Sequence, residues 1–182
     1  MLIFIGCSIK SSEKISNSLY VRLKRNPTTL DPALIVDLDG ARIAAKIYSG
    51  LVNFDENLAP APDIAASWTI SSDGLTYIFT LRKGIRFFNG REISAADVVY
   101  SFERVLDPHT RSPRTWVLSR IKGARQFLAG EAPQVTGLQV RGPYELAITL
   151  EEPFAPFINF LGLTTAYIVL REEVEKWGAD FG

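Results

Sequence analysis

Residues 73–104 read DGLTYIFTLRKGIRFFNGREISAADVVYSFER, and the fold follows from how this stretch is read. Asp73-Gly74 tolerates positive φ at both positions and lies between two strand-like runs, Trp68–Ser71 and Thr76–Arg82, so it reads as a hairpin turn. In the second run Tyr77, Phe79 and Leu81 alternate with Thr76, Ile78 and Thr80, the pattern of a strand with one face buried and the other partly covered. Gly84 ends the strand, and Asn89-Gly90 supplies another tight turn. Ser94 stands three residues before Asp97, whose carboxylate answers the cap and favours the positive end of a helix. Ala95, Val98, Val99, Phe102, Val105 and Leu106 then recur at helical spacing until Asp107-Pro108 stops them. The spacing predicts a hairpin, a turn and a helix, the elements of an α+β fold.

The same residues carry a resemblance. After Asp73-Gly74, the run T-Y-x-F-x-L-R-K-G-x-x-F-x-N-G over 76–90 and A-x-D-V-V-x-S-F-x-R over 95–104 closely resemble the signature of the extracellular solute-binding proteins of the peptide-transport type, family 5. These are the oligopeptide and dipeptide receptors of ABC importers. Matching pieces continue outward: N-P-x-x-L-D-P at 26–32, A-x-S-W at 65–68, GLQV at 137–140, YELAITL at 144–150 and EPFAPF at 152–157. The resemblance implies a periplasmic-binding-protein-like fold of type II, peptide-receptor class. It divides the chain into a signal remnant and tether (1–18), a first part of lobe one (19–54), an inserted middle domain of mixed antiparallel sheet and helix (55–164), and the start of a return to lobe one (165–182). Family members run on for several hundred residues more, so the second ligand-binding lobe is expected to be absent from this sequence.

The flanking segments are read in the same way. Leu19–Arg25 alternates apolar and basic residues and reads as a strand. Gly40–Gly50 carries Ile43, Ala44, Ile47 and Tyr48 on one face, a short helix closed by a glycine, before a brief strand at Leu51–Phe54. Asp55–Asp63, with Pro60 and Pro62, reads as a loop crossing between lobes. Asp107–Arg114 is a turn-rich connector in which His109 reads as a solvated group. Pro113–Trp116 leads into one helix presenting Val117, Leu118, Ile121, Ala124, Phe127 and Leu128, ended by Ala129-Gly130. Val135–Val140 and Tyr144–Leu150 form a half-buried hairpin. Pro153 and Pro156 bend the chain into a short helix at Phe157–Leu161, the apolar run Ala166–Leu170 follows, and Arg171–Gly178 is a polar helix with Val174 and Trp177 inward.

Composition narrows the function classes. The 182 residues are 47% hydrophobic, enough for a substantial core, and 20 basic residues balance 20 acidic ones, so bulk charge points to neither nucleic acid nor an anionic membrane surface as partner. A single His and a single Cys exclude both a Cys/His metal site of ordinary spacing and an intrachain disulfide framework. No P-loop, G-x-G-x-x-G or G-x-S-x-G is present, and Asp73, Asp97, Glu151 and Glu152 all have turn, cap or strand-end explanations, so no catalytic residue is assigned and no enzyme or cofactor is expected. The Cys lies in MLIFIGC, which looks like the end of a bacterial lipoprotein signal with Cys7 as the acylated residue. Six residues precede it, fewer than a signal peptide needs, which implies a coding start placed downstream or a shortened chain. A free Cys near a terminus is the alternative.

What the resemblance implies about the site is specific. The loop after N-P-x-x-L-D-P contributes backbone groups to the ligand cleft, and here that loop is Ala33–Asp39, which nominates Ile35, Val36, Asp37, Leu38 and Asp39. Either Asp37 or Asp39 meets a ligand amine, or Asp39 caps the helix that follows. Arg114 and Trp116 stand where the family places cleft-facing side chains, although a helix-start Trp is more often a core residue than a ligand platform. The implied ligand is a peptide held by its backbone, the partners are the membrane subunits of an ABC permease, and the location is periplasmic or extracytoplasmic, with a lipid anchor if Cys7 is processed. The alternatives are a receptor for a nickel complex, haem or a sugar, and an interaction or regulatory module that keeps one lobe.

Overall fold

The hairpin forms where expected in the computed structural model, which describes residues 22–23 and 25–182. Gly74 turns with φ +71°, its N–H donates to the Ser71 carbonyl at 2.9 Å, and the Asp73 carboxylate accepts the Leu75 N–H at 3.0 Å. The expected strand over Leu19–Arg25, the tether and Cys7 lie wholly or largely outside the described residues. On either side of the turn run β3 (Ala65–Ile70) and β4 (Thr76–Leu81), antiparallel, with Trp68 opposite Phe79. They are preceded by β1 (Val52–Phe54) and β2 (Pro60–Pro62). β5 (Leu138–Gly142) and β6 (Glu145–Thr149) complete a four-stranded antiparallel sheet in the order β3-β4-β6-β5.

The alternation read in β4 has its cause in this order. As an inner strand it buries Tyr77, Phe79 and Leu81 on one face, and Leu146 and Ile148 of β6 lie beside them. The helix α2 (Ala95–Leu106) packs its stripe of Val98, Phe102, Val105 and Leu106 into the same core and lies over β5. Full burial of a side chain such as Phe102 is worth about 2–3 kcal/mol in transfer free energy.

The capping residues of α2 do more than end a helix. The Asp97 carboxylate accepts the Ser94 N–H at 2.9 Å and its hydroxyl at 2.8 Å, and the Arg91 guanidinium grips both carboxylate oxygens at 3.0 and 2.6 Å. Arg91 also reaches Glu172 at 2.8 Å, tying the turn to the helix α5 (Arg171–Trp177). Burial raises the Asp97 pKa, but Arg91 and the two Ser94 donors outweigh it and hold the group below the usual carboxylate range. A depressed folded pKa stabilises fully above the unfolded value, near pH 4, and that stability is lost as pH falls through the folded value. Asp97→Asn is therefore expected to lower the Tm at pH 7, by a stability of about 1–3 kcal/mol, and to flatten the decline in Tm below pH 4. A Tm series from neutral to acid pH checks this; parallel curves for the two proteins would contradict it.

Four local readings change. Asp55–Asp63 is not an open crossing loop: the chain turns at Asp55, whose carboxylate accepts the Asn57 and Ala59 N–H groups, and returns as β2 antiparallel to β1. Both prolines fit because the ribbon has only two strands, so neither needs an N–H for a further neighbour. The single helix expected after Pro113 is two pieces, a 3-10 turn at Thr115–Val117 and α3 (Ala124–Leu128). Between them Ile121 bridges to Leu150, the Lys122 N–H donates to the Thr149 carbonyl at 2.9 Å, and Gly123 takes φ +78°. Periodicity alone could not register this, because pairing with the sheet consumed the backbone groups that a continuous helix would have used. The helix expected to be closed by a glycine at 50 is α1 (Leu38–Ile47); it ends at Tyr48, which is extended. Trp177 is 52% exposed rather than inward, its indole N–H donating to Glu173 at 2.8 Å, while Val174 is the buried member of α5.

The two ends of the described chain meet. The Leu30 N–H donates to the Gly182 carbonyl at 2.6 Å, and the apolar run 166–170 is buried throughout, with the Ile168 N–H on the Ser49 carbonyl and the Val169 N–H on the Ser101 hydroxyl.

Candidate ligand-binding site

Asp31 is the foundation of the loop that follows it. Its carboxylate, 1% exposed, is held by both Arg104 Nη atoms at 2.8 and 2.6 Å, so the last turn of α2 fixes the start of the loop. The same carboxylate accepts the Ala33 N–H at 3.0 Å, and the Asp31 carbonyl accepts the Leu34 and Ile35 N–H groups. The Arg104 guanidinium also lies 5.3 Å from the centre of the Phe181 ring.

From this base the loop rises to the surface. Ile35 is 1% exposed, backbone included, whereas Val36 and Leu38 are 55% and 66% exposed. Among the described residues, the N–H groups of Val36 and Asp37 and the carbonyls of Leu34 and Ile35 make no hydrogen bond. The connector Asp107–Arg114 lies alongside: the Ser112 hydroxyl donates to the Ala33 carbonyl at 2.6 Å, and Arg114 Nη2 donates to the Val36 carbonyl at 3.2 Å. Trp116, two residues on, is 50% exposed and stands edge-on to Phe160 at 5.2 Å, within a row that continues to Phe154. The loop and Arg114, far apart in sequence, are thus brought together, with Trp116 on the next turn of chain.

The two acids are already engaged. Asp37, not Asp39, is the N-cap of α1: its Oδ1 accepts the Gly40 N–H at 2.7 Å and its Oδ2 the Thr28 hydroxyl at 3.0 Å, and these bonds hold its pKa down. The helix begins two residues earlier than its apolar face indicated, because Leu38 is an exposed first-turn residue that contributes nothing to that face. Asp39 sits in the first turn, 3.7 Å from Arg42, with the Arg25 N–H at 3.3 Å. His109 is solvated, with Nδ1 2.8 Å from Asp107. A separate apolar cavity of about 200 Å³ opens at the far end of α1 between Ile47, Tyr48, Phe87, Phe88 and Phe181, and contains none of the expected site residues.

Asp31, Arg104 and Ser112 were missed as site-building residues. The first two sit inside recognisable motifs, L-D-P and S-F-x-R, but no spacing pairs them; Ser112 carries no local signal.

The family model described as bacterial extracellular solute-binding proteins, family 5 Middle, matches residues 59–181. The chain belongs to this family. Family 5 is made of solute-binding proteins, not of enzymes. Similar relatives include the dipeptide-binding protein of Lactococcus lactis subsp. cremoris, 29% identical over all of this chain and 33% of that protein. The periplasmic murein peptide-binding protein MppA of Escherichia coli is 33% identical over 87% of this chain and 30% of its own length. Among solved structures, that of the pheromone receptor PrgZ superposes with a TM-score of 0.81 and 35% identity, over 86% of this chain and 31% of that one. The mixed helix and antiparallel sheet is therefore that of the peptide-binding proteins over these residues, and the chain spans about a third of its relatives' length. The family is extracellular by description and the E. coli relative is periplasmic.

Proposed function

We propose that this chain is part of the substrate-binding component of an ABC importer, capturing oligopeptides or dipeptides outside the cytoplasmic membrane for delivery to permease subunits. The single observation that carries the reading is the loop 34–38, where the Val36 and Asp37 N–H groups and the Leu34 carbonyl make no hydrogen bond among the described residues and Arg114 reaches the Val36 carbonyl. An extended peptide would add to these groups as a strand does, with Val36, Leu38 and Trp116 touching its side chains. The cation of Arg114 keeps N–H groups beyond the one given to Val36, which suits a peptide carboxylate or carbonyl. Because Asp37 and Asp39 already serve α1, a ligand amine would compete with Gly40, Thr28 and Arg42 for them. In this reading 19–54 and 165–182 belong to lobe one and 55–164 is the middle domain, Cys7 carries a lipid anchor, and a second lobe closes over the ligand by a hinge.

One wall of a cleft leaves a peptide partly wet, so the chain itself should bind only at millimolar concentration, about −4 kcal/mol. Titrating trialanine while following backbone amide shifts tests this. Shifts concentrated at 34–38, Arg114 and Trp116 are expected; no change there at saturating peptide, or shifts confined to the cavity near Phe88, would overturn the assignment.

A further inference from the structure

Ala33 is unusual among the loop residues because both of its backbone groups depend on side chains. Its N–H goes to the Asp31 carboxylate and its carbonyl to the Ser112 hydroxyl, and it is buried, so no water can substitute. Ser112 is itself 9% exposed, and its oxygen also accepts the Arg114 N–H at 3.3 Å. One hydroxyl therefore contacts the loop on one side and the strand of chain bearing Arg114 on the other. We propose that Ser112 is the positioning residue of the ligand loop: it sets the height of the Ala33 carbonyl, and with it the direction of the backbone groups at 34–37, against the arm that carries Arg114.

The geometry explains why a serine serves here. A carbonyl buried at the base of a loop needs a donor, and a side chain one atom long holds that donor close to its own backbone, so the loop and connector move as one. Asp31 and Arg104 fix the loop's start; Ser112 fixes its tilt. Tilt is what matters for strand addition, since a peptide's hydrogen-bonding groups must meet those of the loop in register.

The proposal rests on the loop being the ligand-facing element, and its test separates the two ideas. Hydrogen exchange of the whole chain, read by mass spectrometry, is measured for wild type, Ser112→Ala and Ser112→Thr. Removing the hydroxyl should speed exchange of the hydrogen-bonded Ala33, Leu34 and Ile35 amides about five- to tenfold, the effect of one ordinary hydrogen bond on a local opening, while β4 and β6 keep their protection. Ser112→Thr, which restores the donor, should return the loop to the wild-type rate. Arg114→Gln, which removes the bond to the Val36 carbonyl and leaves Ser112 in place, should leave exchange at 33–35 unchanged. Unchanged exchange at 33–35 in Ser112→Ala, or no rescue by threonine, overturns the proposal. If Ser112→Ala also unprotects the sheet, Ser112→Cys, which keeps the volume with a weak donor, is read in its place by the same criteria. Trialanine added to wild type slows exchange at the loop if the loop faces ligand; failure of that arm alone sinks the ligand assignment and leaves the positioning role standing.

Discussion

Arg104→Ala should lower the stability of the chain by about 3–5 kcal/mol, the typical cost of removing one partner from a buried ion pair. The loss of attraction is the smaller part of it. Asp31, 1% exposed with Arg104 in place, would be left with a carboxylate that no longer meets a cation in a site built to exclude water. No longer held by the guanidinium, it would also be a less fixed acceptor for the Ala33 N–H, so the loop base would loosen with it. The Phe181 ring would lose the cation beside it, weakening the hold of the 178–182 segment on Leu30. Urea denaturation of wild type and variant measures the cost. Arg104→Lys should recover part of it, because an ammonium keeps the charge without the two-pronged grip. A change below about 1 kcal/mol in Arg104→Ala would show that Asp31 is solvated in solution, contrary to its burial here.

Phe79→Ala is the second large effect, at about 3–5 kcal/mol. Phe79 is fully buried in an inner strand, tilted against Trp68 at 6.3 Å and stacked with Tyr77 at 6.5 Å. Strands on both sides of β4 hold its backbone in place, so the sheet cannot collapse into the space left. The same substitution at Phe88, 83% exposed within the turn from Phe87 to Gly90, should shift the urea midpoint little. The comparison of the two midpoints at equal slope checks the claim; equal losses would mean that β4 is not an inner strand.

The contrast between Phe79 and Phe88 marks how far pattern reading reaches. Phe79 belongs to a period-two run, so its burial follows from its neighbours in the chain. The hairpin turn and the cap of α2 were legible for the same reason: Asp73-Gly74 and Ser94/Asp97 act within a few residues of themselves. Trp177 shows the limit. Its spacing from Val174 is helical, but α5 is short and its second face meets solvent, where a bond to Glu173 satisfies the indole. The helix predicted through 113–130 failed for a related reason, since the apolar residues there do face one core but the chain reaches it by pairing with β6 and turning at Gly123.

The site divides in the same way. The loop Ala33–Asp39 and the positions Arg114 and Trp116 could be nominated from the sequence through motifs that resemble a known family. That Asp37 caps α1 while Asp39 merely lies in its first turn needed the helix start, which exposed Leu38 conceals from any apolar pattern. The sequence by itself determined the local units: hairpin, turn, capped helix and the family they mark, because turn, cap and alternation energies act between residues close in the chain. Only the tertiary structure decided that Asp31 meets Arg104, that Ser112 meets Ala33, and that Arg114 reaches the Val36 carbonyl. Those contacts span 73 to 79 residues, and what selects them is the burial of a charge or carbonyl that must find a partner wherever the packed core brings one.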